Sequence, residues 1–81
     1  MELRYFAWVR ERIGLQGETY KGSATTVSEL LDELDARGDG YASALADRTI
    51  LRVALDQEIA AGDMPIAGVK ELAIFPPMTG G

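Results

Sequence analysis

Cysteine and histidine are both missing from this chain of 81 residues. Without cysteine there is no disulfide staple and no thiolate zinc site, and without histidine the commonest general base and metal ligand are gone as well. Basic residues are scarce: eight Lys and Arg stand against thirteen Asp and Glu, for a net charge of -5. That balance repels a phosphate backbone, so nucleic acid is not expected as a direct partner. No apolar run approaches the ~18 residues needed to span a bilayer, and Met1-Glu2-Leu3-Arg4 opens a strand-like pattern, not a basic signal segment. A cytoplasmic chain with no membrane partner is expected. Gly14 and Gly17 lack the Gly-Lys-Ser/Thr ending of a phosphate loop and read as turn glycines.

What remains is an ordinary globular composition, 47% hydrophobic and 26% charged, too apolar for intrinsic disorder. The length suits one domain, since folds usually spend ~100 to 200 residues each. A chain this size hides roughly 60 to 65% of its unfolded surface, enough to fold unaided with little to spare.

Alternation at the start predicts a strand with Leu3, Tyr5, Ala7 and Val9 on one face and Arg4, Phe6 and Trp8 on the other. Gly14-Leu15-Gln16-Gly17 reads as a hairpin turn, and Glu18 to Gly22 as the return strand. Thr26 and Glu29 form a capping box, and Val27, Leu30, Leu31 and Leu34 at i, i+3, i+4 and i+7 share one helix face. Gly38 is placed to end that helix in a left-handed conformation. A short second helix is expected over 41–46. Ile50 to Leu55 reads as a third strand, Asp56-Gln57 as a turn into a brief fourth around Glu58 to Ala60, and Glu71 to Phe75 as the last. Pro76-Pro77 ends it, because neither proline can donate a ladder hydrogen bond. No segment repeats, and none is of low complexity.

A hairpin, a crossing helix and strands that return to pair with the first imply an α+β roll: a mixed sheet of about five strands with one main helix on one face. That is the β-grasp, or ubiquitin-like, arrangement. Residues 1–75 would make the domain and residues 76–81 an extended, flexible Gly-Gly tail. The acids lie mainly on the exposed helix face and read as a solvated stripe. The ending Phe75-Pro76-Pro77-Met78-Thr79-Gly80-Gly81 is what turn and strand chemistry leaves unexplained. Glycines without Cβ atoms can enter a slot too narrow for other residues, and the prolines stiffen the exit. From Pro76 to Gly81 the tail reaches at most ~20 Å, far enough to enter a neighbouring protein's active site.

The chain resembles the small sulfur-carrying subunits of molybdopterin synthases, the MoaD family, over essentially its full length. The matching pieces are Phe6-Ala7, Val9-Arg10-Glu11, Gly14, the Thr26-Val27 helix start, Ala54-Leu55-Asp56-Gln57-Glu58, Asp63-Met64-Pro65-Ile66 and, most selectively, the Phe-Pro-Pro-x-Thr-Gly-Gly ending. Gly68-Val69-Lys70-Glu71 departs from the acidic Asp-Gly-Asp-Glu turn common in that family.

The resemblance implies that an ATP-using, ubiquitin-activating-like enzyme of the MoeB type adenylates the carboxylate of Gly81. A sulfurtransferase or cysteine desulfurase would then supply sulfur for a thiocarboxylate. The charged tail, with Pro76, Pro77, Met78, Thr79 and Gly80 threaded into the large subunit MoaE, would deliver that sulfur to cyclic pyranopterin monophosphate (precursor Z). Two such rounds build the dithiolene of molybdopterin for the molybdenum cofactor. The chain itself would be a non-catalytic, sulfur-donating subunit of a transferase, working only with the large subunit, in a heterotetramer. It would bind no cofactor and no metal. Phe6, Trp8, Ile59 and Phe75 would form the apolar docking patch, unless one or two of them fold back onto the loop 60–66. The alternatives are a carrier for thiazole synthesis or transfer-RNA thiolation, a modifier joined to lysine, or a β-grasp module that works through its sheet.

Overall fold

The computed structural model describes residues 1–77. In chain order the elements are β1 (Glu2–Tyr5), α1 (Ala7–Ile13), β2 (Gly17–Thr19), α2 (Val27–Asp35), α3 (Asp39–Ala44), β3 (Arg52–Leu55), β4 (Glu58–Ile59) and β5 (Glu71–Phe75). The five strands form one sheet in the order β2-β1-β5-β3-β4. β1 and β5 run parallel, and every other pair is antiparallel. This is the expected β-grasp sheet, with the first and last strands paired at its centre.

Alternation sets the two faces. Leu3, Tyr5, Leu72, Ile74 and Val53 turn inward and are buried, joined by Val27, Leu30, Leu31 and Leu34 of α2. Leu30, Leu34, Leu72 and Ile74 are sealed from solvent, and each such side chain stabilises the fold by about 1.5–3 kcal/mol. Thr26 caps α2 as expected, its hydroxyl accepting from the Glu29 N–H at 3.3 Å. The reciprocal half of the box is displaced by one residue: Glu29 Oε1 accepts from the N–H and the hydroxyl of Thr25, each at 2.8 Å.

Three expectations need correction. The opening strand stops at Tyr5, and Ala7–Ile13 is helical, so the β1–β2 connection is a helix and not a four-residue turn. The apparent alternation through Val9 is a coincidence of two periods, because Val9 and Ile13 lie four apart and face the core from a helix. Gly14, at φ 89°, closes α1, with Arg10 and Arg12 in the last turn where they favour the helix dipole. The second correction concerns Gly38: its backbone is extended and it caps the start of α3, while Ala36 ends α2 in a right-handed conformation. The third is that α3 begins two residues before Tyr41 and ends at Ala44. Gly40 lets α3 approach α1, since a Cβ there would stand 2.6 Å from the Arg12 carbonyl oxygen.

The Asp56-Gln57 turn is present, with φ of 48° and 73° at its two residues, as a type I′ hairpin requires. Asp56 also ties down the start of β5: its Oδ1 accepts from the N–H groups of Lys70 and Glu71 at 3.0 and 2.9 Å. Gly68, at φ 79°, sits in a turn closed by the Val69 N–H donating to the Ile66 carbonyl at 3.1 Å. The departure at 68–71 thus delivers β5 through a tight turn.

Candidate functional site

The outer face of the sheet, opposite α2, carries three of the four apolar residues that the sequence singled out: Phe6 and Ile59, both exposed, and Phe75, half-buried. Pairing in register aligns Arg4 with Ala73, Ala73 with Ala54, and Ala54 with Ile59, so these share one face. Phe75 lies on the same face, opposite Arg52 of β3. Phe6 continues β1 by one residue, its N–H donating to the Ile74 carbonyl at 3.2 Å, and so runs beside Phe75. Phe6 is 46% exposed and Ile59 61% exposed; neither folds back onto the loop 60–66.

Ala7 is what halts β1 behind Phe6. It is a non-glycine residue at φ 52°, a left-handed conformation that costs an L-residue roughly 1–2 kcal/mol. The chain then swings off the sheet, and the Phe6 carbonyl accepts the first helical hydrogen bonds, from Val9 and Arg10.

Trp8 is therefore not on the sheet face. As part of α1 it packs against the core cluster, and the Arg12 guanidinium stacks over its ring at 4.4 Å. The expected grouping of four residues reduces to Phe6, Ile59 and Phe75. Pro76 and Pro77 follow β5 directly and are half-buried. Met78, Thr79, Gly80 and Gly81 lie outside the described residues.

Two basic residues flank the patch. Arg4 is paired, its Nε donating to Glu71 Oε1 at 3.1 Å. Arg52 instead donates Nη1 to the carbonyls of Leu51 and Thr49, at 3.1 and 3.4 Å. Arg52 and Ile59 also line a groove of about 420 Å³ with Val27, Leu31, Leu51, Val53 and Arg48, the last paired with Asp32 and Asp35. Sequence reasoning passed over Arg52. Alternation put it on the outer face between Leu51 and Val53, but only the pairing register sets it opposite Phe75.

The frame behind the face is braced by one carboxylate. Glu18 accepts hydrogen bonds from the hydroxyls of Tyr5 and Tyr41 and pairs with Arg37 at 2.9 Å. Burial pushes its carboxyl up, but the two tyrosine hydroxyls and the guanidinium outweigh that and hold it below the usual range. A second tyrosine, Tyr20, donates to Glu33 and accepts from the Ala24 N–H, binding the chain before α2 to the helix itself. Among the described residues, no three His, Cys, Asp or Glu side chains gather as a metal site. No described helix is long and apolar enough to cross a membrane.

Along almost its whole length the sequence that builds this sheet matches the model of the ThiS family, over residues 3–81. The chain belongs to the ThiS family. Curated relatives share its length as well as its sequence. The molybdopterin synthase sulfur carrier subunit of Escherichia coli (strain K12) is 35% identical over 81 residues, covering 100% of this chain and 99% of that one. The protein of the same name from Haemophilus influenzae (strain ATCC 51907 / DSM 11121 / KW20 / Rd) is 31% identical with the same coverage. Among solved structures, SAMP1 from Haloferax volcanii superposes with a TM-score of 0.73 at 31% identity, covering 100% of this chain and 98% of the other. A second structure, H. volcanii small archaeal modifier protein 1, gives 0.68 at 31% identity, covering 96% and 97%. This ThiS family member thus has the ubiquitin-like β-grasp fold that its sequence implied.

Proposed function

We propose that this chain is the sulfur carrier subunit of a molybdopterin synthase. The observation that carries the reading is its full-length similarity to two curated sulfur carrier subunits of that name, in a chain whose β5 leads into Pro76-Pro77 and the Gly80-Gly81 pair. The chemistry follows from what a carboxylate lacks. A free carboxylate is a poor electrophile, so the Gly81 carboxylate must first attack ATP, releasing pyrophosphate and leaving an acyl adenylate. A persulfide sulfur of the donor then displaces AMP to give an acyl disulfide, and a second thiol of a partner attacks the donor sulfur, forming a disulfide there and leaving the chain ending in a thiocarboxylate.

Delivery into a partner's closed site keeps that acyl sulfur from water until the pterin precursor is in place. Transfer of the sulfur to cyclic pyranopterin monophosphate and hydrolysis of the acyl group return the carboxylate for another round. The groups that catalyse these steps belong to the partners: an adenylating enzyme that uses ATP, a sulfur donor, and the large synthase subunit. Gly81 is the carried reactant, Pro76 to Gly80 the segment that enters the partner, and Phe6, Ile59 and Phe75 the docking patch. The chain works in the cytoplasm and brings no cofactor or metal of its own.

A second reading, a modifier joined to lysine, is favoured by the likeness to the H. volcanii structure named a modifier protein. Both share the activation step, and mass spectrometry of the N-terminally tagged chain captured from its host separates them. A terminal thiocarboxylate on a chain held noncovalently by a synthase large subunit is the expected result; an isopeptide to lysine would replace this reading with the second. Deleting Gly81 should abolish sulfur transfer and leave the melting temperature unchanged. Transfer that survives the deletion would sink both readings.

A further inference from the structure

Arg4, Arg37 and Arg48 each meet a carboxylate. The chain has thirteen acids for its eight bases. Arg10, Arg12 and Arg52 have no such partner among the described residues; Arg10 and Arg12 belong to α1, Arg12 stacked over Trp8, and of the three only Arg52 stands on the sheet. It is exposed, it opens β3 directly opposite Phe75 in the antiparallel register, and among the described residues it forms no ion pair. Its Nη1 is held by the Leu51 and Thr49 carbonyls, which fixes the side chain without neutralising it. The Nη2 and Nε donors have no acceptor among the described residues, although an arginine presents five N–H groups in a rigid fork.

Position gives that fork a use. Phe75 lies between Arg52 on one side and Phe6 on the other, so the charge stands at the rim of the apolar patch, on β3 beside the strand that leads into Pro76 and Pro77. Ile59 and Arg52 also line the same groove. An apolar centre with a preorganised arginine at its edge has the composition of a protein interface, where arginine is enriched and lysine and the acids are depleted. The ligand is not a polyanion, because a chain of net charge -5 repels one. A single carboxylate matches the free edge of the guanidinium in charge and shape.

We infer that Arg52 is a specificity residue of the docking face, and that it pairs with an Asp or Glu carboxylate on the large synthase subunit that takes up the tail. The inference rests on the function proposed above. Arg52 acts by positioning: it sets the register in which Phe6 and Phe75 settle and so aims the strand that carries the tail. It touches no reacting atom. The pair sits at a rim and therefore weakens with salt, unlike the apolar contact beside it.

The test is the dissociation constant of the full-length chain with the large subunit encoded by the same genome, measured at low and high salt for wild type, Arg52→Met, Arg52→Glu and Phe75→Arg. Arg52→Met keeps the aliphatic stem, and the melting temperature of each variant is followed alongside. At low salt Arg52→Glu should weaken binding by about tenfold or more. Arg52→Met should weaken it less and flatten its salt dependence, and Phe75→Arg should weaken it at every salt concentration. If Phe75→Arg weakens binding while Arg52→Glu and Arg52→Met stay within about twofold of wild type, with the wild-type salt slope, the role of Arg52 is overturned and the docking face stands. If Phe75→Arg also binds normally, the face is not the interface, and the docking role falls together with this inference.

Discussion

Tyr5 and Tyr41 donate their hydroxyls to the same atom, Oε2 of Glu18, each at 2.7 Å. One tyrosine comes from the central part of the sheet and the other from α3, so a single oxygen on β2 joins three elements, and Arg37 holds the other oxygen. Neither phenol gives up its proton easily. Burial, and then the hydrogen bond to the Glu18 carboxylate, push both above the ordinary phenol value.

Replacing Glu18 with Gln keeps the shape, removes the charge and should cost about 1–2 kcal/mol, since hydrogen bonds to charged groups contribute more than neutral ones. The pH dependence follows from the direction of each shift. With its folded value depressed, Glu18 contributes stability above its unfolded value of ~4.3, and that contribution is lost as pH falls through the folded value. Tyr5 and Tyr41, both raised, contribute stability below ~10 that is lost as pH rises through their folded values. Thermal melts between acid and neutral pH should therefore show a shallower acid limb in Glu18→Gln. An unchanged limb would mean that the carboxylate is not what ties the three elements together.

Two left-handed residues bracket α1, and their substitutions should act with opposite sign. Gly14 has nothing within 4 Å of where a Cβ would stand, so Gly14→Ala is penalised by backbone strain alone, about 1 kcal/mol. Ala7 is already strained at φ 52°. Ala7→Gly relieves that at a smaller entropic cost and should be neutral or stabilising by about 0.5 kcal/mol. Denaturant melts of the two variants decide it, and a destabilised Ala7→Gly would show that Ala7 is held by packing of its methyl group.

Trp8 separates stability from docking. Because it packs on the core beneath Arg12 and not on the sheet face, Trp8→Ala should lose roughly 2 kcal/mol of stability. At a temperature where the variant is folded, its affinity for the large subunit should match wild type. A loss of affinity with little loss of stability would return Trp8 to the docking patch.

Most of the fold was legible in the sequence because its signals were local and agreed with one another. The Val27, Leu30, Leu31, Leu34 stripe, the Asp56-Gln57 turn and the Glu71–Phe75 strand each carried a period and a boundary. α1 was hidden because Leu3, Tyr5, Ala7 and Val9 alternate by accident across a strand and a helix, and nothing in the residue type of Ala7 announces a positive φ. The better guide was Gly14 after Arg10 and Arg12, a helix ending read as a turn. For the site, Phe6, Ile59 and Phe75 could be grouped once the first and last strands were expected to pair. Arg52 could not be picked out from alternation, because its meaning depends on which residue faces it across the sheet.

The parallel pairing of β1 with β5 joins residues some seventy positions apart at the centre of the sheet. Such a contact is slow to form, because the long loop between its ends must close before the pairing repays it. On the ribosome it cannot form at all until the last strand has emerged, and until then Phe6 has no Phe75 beside it. A chain whose translation stops short of β5 thus lacks the centre of its sheet and leaves the apolar face incomplete. The topology makes the outer face a feature of the finished chain alone.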